Sequence, residues 1–263
     1  MKKIKVNDVE LAYRDEGSGK PILFLHAFPL NQTMWDEQVA KFASTHRVIT
    51  FDWRGFGKSG MSSTQSSMPV FADDLAELLN LLEIEKATIC GLSMGGYAAF
   101  AFYREYAERV NALILCDTRA AADNDEAKRG RYEMAELTRT KGASAIGEQM
   151  IPKLLGETTL KIRPTVADRI RSMIEAAQPE GIAQALIGMA QRENSTNLLP
   201  QISCPTLIVV GDEDKLTPPT EAETLAQSIK ASRLEVIKGA GHLSNLEQPA
   251  SFNQAINKYL NQL

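Results

Sequence analysis

A serine hydroxyl is too weakly acidic to attack a carbonyl carbon unaided. A chain built for that reaction must supply a tight turn to present the serine, an imidazole to take its proton, and a carboxylate to hold the imidazole. This sequence contains each of these in a usable order. Gly91-Leu92-Ser93-Met94-Gly95 has the G-x-S-x-G form. Its glycines, Gly91 and Gly95, permit a turn too sharp for side chains on either flank of the nucleophile. Such a turn thrusts Ser93 out at the start of a helix, where the next amide, that of Met94, can donate to an oxyanion.

The chain has three histidines, His26, His46 and His242. His242, in Gly239-Ala240-Gly241-His242, directly follows the last apolar run and is the best placed to act as base. His46 stands before a strand and reads as a surface residue. For the carboxylate, Gly211-Asp212-Glu213-Asp214 follows another apolar run. Asp214 is the first choice, with Asp212 and Glu213 expected to cap the turn or face solvent. Asp117, at the end of a different apolar run, is a rival for the same role. No metal-ligand pair such as H-E-x-x-H occurs, so a zinc enzyme is not expected.

These residues need a scaffold that carries them to one edge. Ile4 to Val6 and Glu10 to Arg14 alternate like a hairpin, and Ile22 to Leu25 reads as a buried strand. Further short apolar or β-branched runs follow at Val48 to Phe51, Ala87 to Cys90, Ala112 to Cys116, Thr206 to Val210 and Leu234 to Ile237. Helical periodicity separates them at Trp35 to Phe42, Val70 to Leu82, Ser93 to Tyr106 and Glu221 to Ile229. Strands alternating with helices predict an α/β fold: a mainly parallel eight-stranded sheet with helices on both faces. Ligands of such sheets bind beyond the carboxyl ends of the strands.

From Arg119 to Leu199 no strand is visible, only helical patterns at Tyr132 to Leu137, Ile146 to Leu155 and Val166 to Ile174. This predicts a helical cap, residues 119–199, inserted into a core formed by residues 1–118 and 200–263. Met134, Met150, Leu154, Met173 and Met189 could line an apolar pocket beneath it, or merely pack the cap onto the core. Arg119 and Arg131 read as solvated charges, with recognition of a substrate carboxylate as the alternative.

A net charge of −4, without a basic stripe, gives no reason to expect nucleic acid or an anionic membrane as partner. The start of the chain, Met1 to Asp8, lacks the apolar stretch of a signal peptide, and no run is long enough to span a bilayer. Cys90, Cys116 and Cys204 form no CxxC pair and read as reduced, buried thiols. Together these predict a cytoplasmic protein acting on a small molecule.

The motifs resemble those of the α/β-hydrolase fold superfamily, in the family's own order. They are His26-Ala27-Phe28-Pro29 after a strand, Asp52-Trp53-Arg54-Gly55-Phe56-Gly57-Lys58-Ser59, the Ser93 elbow, Gly211-Asp212-Glu213-Asp214, and Gly241-His242. The resemblance implies a nucleophile–acid–histidine order of Ser93, Asp214 and His242. It also implies a second oxyanion amide from Phe28 and a structural role for His26 and for the segment Asp52 to Ser59. Ala27 departs from the family's usual glycine. A serine nucleophile argues against haloalkane dehalogenase chemistry.

Around Cys116-Asp117-Thr118-Arg119-Ala120 the chain resembles small carboxylesterases and 3-oxoadipate enol-lactonase-like proteins. The resemblance therefore implies a cofactor-free serine hydrolase acting on an ester or lactone. Pro29 is shared with cofactor-free haloperoxidases and perhydrolase-like esterases, and that resemblance makes a side activity with peroxide plausible. Alternatives are a small-ligand receptor of the same fold with slow or single turnover, and hydrolysis of a carbon–carbon bond.

Overall fold

The computed structural model describes all 263 residues. Strands β1 (Lys2–Val6) and β2 (Val9–Glu16) form an antiparallel hairpin, and β1 keeps the mostly exposed pattern of a sheet edge. The chain then enters β3 (Pro21–Leu25), α1 (Asp36–Phe42), β4 (Arg47–Phe51), α2 (Met68–Leu81), β5 (Ala87–Leu92), α3 (Met94–Tyr106) and β6 (Val110–Cys116). Five helices follow: α4 (Asp125–Lys141), α5 (Ala143–Leu154), α6 (Glu157–Ile162), α7 (Thr165–Glu175) and α8 (Pro179–Ala190). The sheet resumes with β7 (Thr206–Gly211), α9 (Pro219–Ser228) and β8 (Ser232–Ile237), and the chain closes on α10 (Ser244–Glu247) and α11 (Pro249–Leu260).

The eight strands lie in one sheet in the order β1-β2-β4-β3-β5-β6-β7-β8. Only the β1/β2 and β2/β4 pairs are antiparallel; the others are parallel. The central strands β5 and β7 are buried throughout, as expected where helices cover both faces. From β3 the chain steps outward to β4 and then crosses back to β5 on β3's other side. Strand order therefore reverses between β3 and β5, and the loops leaving these strands flank a crevice. Those loops carry Phe28 and Ser93.

The eight strands, the first two of them paired as a hairpin, match the sequence reading. Helices α4, α5 and α7 contain the three periodic segments seen between Arg119 and Leu199, but α6 and α8 in that interval, and α10 and α11, were not expected. The six-residue α6 is too short for a periodic signal. In α8, eight of 12 residues are buried, so it has no broad polar face to betray a helix. Its Gly181 and Gly188 are poor helix formers, kept small by contact. A Cβ would lie 2.4 Å from the Gly55 carbonyl oxygen at the first and 2.4 Å from that of Ser66 at the second. No helix is long and apolar enough to cross a membrane.

Candidate active site

β5 ends at Leu92 and α3 begins at Met94, so the whole reversal falls on Ser93, at φ 55° and ψ −112°. Such a conformation is strained for a residue with a side chain and persists only if its surroundings enforce it. The flanking glycines permit the necessary closeness. A Cβ on Gly91 would sit 2.3 Å from the Gly95 carbonyl oxygen, and one on Gly95 would sit 2.2 Å from that of Leu25. Ser93 is anchored by its amide to the Cys116 carbonyl (2.9 Å) and by its carbonyl to the Thr118 hydroxyl (2.9 Å).

The hydroxyl so presented lies 2.8 Å from Nε2 of His242, and Nδ1 of that ring lies 2.8 Å from Oδ2 of Asp214. With Nδ1 protonated and donating to the carboxylate, Nε2 keeps the lone pair that accepts from Ser93. Both His242 and Asp214 are buried. Asp214 also accepts from the amides of Leu216 (2.8 Å) and Thr217 (3.0 Å) and from the Thr217 hydroxyl (2.6 Å). Burial works to raise its pKa, but His242 and the Thr217 hydrogen bonds outweigh that and hold it below the usual value, so it stays ionised.

Asp117 does not touch His242. Its Oδ1 accepts from the Gly211 amide (2.8 Å) and its Oδ2 from the Ser244 hydroxyl, which binds the β6 and β7 ends to the start of α10. Burial, then the nearby Asp214 charge, pushes its pKa well above the ordinary carboxylate range. Of the rival carboxylates, only Asp214 meets the imidazole. Asp212 accepts from the Gly239 amide (2.7 Å) and Glu213 from the Thr158 amide (2.8 Å), so both brace turns.

The Phe28 amide donates to no acceptor in the protein. Met94 is the first residue of α3, so its amide has no partner within that helix. Phe28, Ser93 and His242 share a cavity of about 380 Å³ with Met134, Met150, Leu154 and Met189. Met173 does not reach it: with Val166, Ile170 and Ile174 it forms the buried stripe of α7, which packs against α5. Period-3.6 spacing identifies a buried face but not what that face meets. Arg119 and Arg131 also line the cavity and pair with Asp123, which is buried. They are not freely solvated charges.

Several residues at the site were not found from the sequence. Thr217 was missed, although its place three residues after Asp214 is the spacing of a side-chain-capped turn and is the signal that could have found it. Glu247 carried no such signal. It is fully buried and accepts from the amides of Leu243 (3.1 Å) and Gly156 (2.8 Å), while the His242 amide donates to the Leu154 carbonyl (3.0 Å). The histidine loop is thus pinned to the end of α5 by backbone groups that no pattern reveals.

His26 lies outside the cavity. Its Nδ1 donates to the Ala27 carbonyl (2.9 Å) and its Nε2 accepts from the Trp53 amide (3.0 Å), joining the loop after β3 to that after β4. Burial lowers its pKa from 6.5 to about 4, partly offset by Asp52. Between those values the unfolded chain takes up a proton that the folded chain refuses, so stability falls as pH drops through this window. The stability advantage of wild type over His26→Gln, measured by urea unfolding, is expected to shrink between pH 6.5 and pH 4.5. The full shift corresponds to on the order of 3 kcal/mol. A constant gap would show that His26 does not titrate this way. His46 is partly exposed and bonds the Thr45 hydroxyl (2.9 Å). The cysteines are unpaired: Cys90 and Cys116 are buried with sulfurs 4.0 Å apart, and Cys204 is half-buried. No three His, Cys, Asp or Glu side chains are grouped to hold a metal ion.

Comparison with known proteins agrees with this architecture. The sequence model of the alpha/beta hydrolase fold matches residues 20–249. A thermophilic esterase from Thermogutta terrifontis, solved with malate bound, superposes with a TM-score of 0.97 at 46% identity, covering 100% of this chain and 99% of that one. The enol-lactonase from Burkholderia xenovorans superposes with a TM-score of 0.92 at 28% identity, covering 99% and 100%. The 3-oxoadipate enol-lactonase 2 of Acinetobacter baylyi is 29% identical over 255 residues, 96% of this chain and 94% of the relative.

Proposed function

The chain belongs to the alpha/beta hydrolase fold family, and from that premise we propose that it is a serine hydrolase cleaving a carboxylic ester or a lactone. The observation that carries this reading is the unbroken relay from Ser93 Oγ to His242 Nε2 and from His242 Nδ1 to Asp214 Oδ2, 2.8 Å at each link. Its similarity to an esterase and to enol-lactonases supports the choice of bond.

In this reading Oγ of Ser93 attacks the carbonyl carbon as Nε2 of His242 takes its proton. The carbonyl electron pair moves onto oxygen, where the amides of Phe28 and Met94 receive it. Each such donor contributes roughly 10² to 10³ in rate. The C–O bond then breaks, and His242 returns the proton to the departing alkoxide; in a lactone that alcohol remains on the acyl group. Water, deprotonated by His242, attacks the acyl-enzyme, and the second tetrahedral intermediate expels Ser93, which recovers its proton. Asp214 holds the imidazole in the required tautomer and stabilises the imidazolium. Besides the substrate and one water, these steps use only groups of the chain itself.

We further divide the chain into a core, residues 1–118 and 200–263, and a cap, residues 119–199. The support is that Met134, Met150, Leu154 and Met189, from α4, α5 and α8, help wall the cavity holding Ser93. A space of about 380 Å³ lies within the roughly 300 to 1,000 Å³ typical of small-molecule sites. The test is multiple-turnover hydrolysis of p-nitrophenyl esters of graded chain length and of simple lactones, with a fluorophosphonate as covalent probe. Sustained turnover, and loss of activity at one probe per chain with the label on the peptide carrying Ser93, are expected. A single turnover would turn the reading toward a receptor, and a label elsewhere would remove Ser93 as the nucleophile.

A further inference from the structure

Given the hydrolase reading above, on which this rests, we propose that the cavity selects esters or lactones carrying a second, ionised carboxylate, which Arg119 and Arg131 bind. Asp123, whose side chain has no exposure, is shared by three guanidiniums. Arg119 reaches its Oδ1 at 2.8 Å, Arg192 reaches Oδ2 at 2.8 Å, and Arg131 donates to Oδ2 through Nε. Three cations on one anion leave two positive charges without a partner in the cluster. Asp123 is the only acidic residue in the cavity wall, which also carries Lys153.

The three arginines are not equivalent. Arg192 is enclosed, 3% exposed, with donors on the Met189 (2.9 Å) and Ala121 (2.8 Å) carbonyls and its guanidinium 4.2 Å from the centroid of the Tyr97 ring. Its two terminal nitrogens are fully engaged in place, although its Nε, like that of Arg119, is buried without an acceptor, and it neutralises Asp123 by itself. Arg119 and Arg131 keep 25% and 20% of their side chains exposed and line the cavity with Ser93, and the Nε of Arg119 is buried with no acceptor. Charges held at a half-buried wall are costly without a counterion, and a guanidinium's fork matches a carboxylate. Thr118, next to Arg119, donates to the Ser93 carbonyl, so the charged wall begins beside the nucleophile and suits a short substrate arm.

The anion could sit on the acyl or on the alcohol side of the scissile bond, and two substrates separate these. Monomethyl glutarate carries it on the acyl side and O-butanoyl glycolate on the alcohol side; methyl pentanoate is the uncharged reference, all followed by pH-stat. Wild type is expected to favour at least one anionic ester in kcat/KM. That preference should fall about ten- to hundred-fold in the Arg119→Gln/Arg131→Gln double variant, mainly through KM. It should also weaken as salt is added and return in part with Arg131→Lys, responses that loss of a merely structural contact does not give. Equal use of charged and uncharged esters, with a ratio the double variant does not change, overturns the proposal.

If no ester is turned over, the hydrolase reading fails separately, and calorimetric titration with glutarate decides this one. Binding to wild type that is lost in the double variant upholds the anion site, and no binding overturns it. Circular dichroism and thermal unfolding of each variant establish that it is folded.

Discussion

Ser93→Ala is expected to lower kcat for ester hydrolysis by about 10⁴- to 10⁶-fold while leaving KM within a few-fold of wild type. In the proposed mechanism the hydroxyl makes the bond that defines the first step, and no other group in the cavity is placed to replace it. The residual rate should still exceed that in water, because the amides of Phe28 and Met94 continue to receive the oxyanion when hydroxide or water attacks directly. The fold should not suffer. Ser93 takes its φ of 55° from the turn, and alanine meets the same strain there as serine. The anchors of the turn, the Ser93 amide to Cys116 and the Ser93 carbonyl to Thr118, are backbone groups that the substitution keeps. Steady-state kinetics beside a thermal melt measure both quantities. Wild-type turnover by a folded Ser93→Ala protein would remove Ser93 from the mechanism.

The second large effect separates two buried carboxylates. Asp214→Asn should reduce kcat by about 10⁴-fold, since the amide NH₂ cannot accept from Nδ1 of His242. The ring is then driven toward the tautomer protonated on Nε2, which cannot take the Ser93 proton. Asp117→Asn should leave kcat within a few-fold, because Asp117 holds the Gly211 amide and the Ser244 hydroxyl and does not touch the imidazole. Its stability effect has a definite sign. A carboxyl whose folded pKa is raised contributes fully below its unfolded value of 3.8 and loses that contribution as pH rises. Relative to wild type, Asp117→Asn should therefore gain stability between pH 4 and pH 7. Reversal of the two kinetic effects would make Asp117 the acid and Asp214 a brace.

The sheet was legible because its signals are local. Runs such as Thr206 to Val210 are short, apolar and bounded by turn residues, and each became a strand. The elbow was legible because its geometry demands glycine at two fixed positions, and Gly91 and Gly95 leave no space for anything larger. The choice between Asp117 and Asp214 was not legible to the same degree. Both close a buried strand, and what separates them is the position of one loop relative to another. Arg119 and Arg131 failed as readings of charge because nothing in the sequence shows that Asp123 is buried between them. Met173 failed because a helix buries its apolar stripe against whichever neighbour is nearest, here α5 rather than the cavity. Contacts of a side chain with a distant backbone group, such as the Glu247 carboxylate with the Gly156 amide, leave no trace in residue order.

The bond between Ser93 and His242 spans 149 residues of chain. During synthesis the elbow therefore leaves the ribosome well before its base exists. At about 5 to 20 residues per second, the interval for 149 residues is roughly 7 to 30 s. Throughout it Ser93 is an ordinary alcohol, unable to attack the esters and thioesters of the surrounding cell. On the proposed mechanism, completion of β8 and of the loop behind it arms the nucleophile, so a chain that stops short would be inert rather than unregulated.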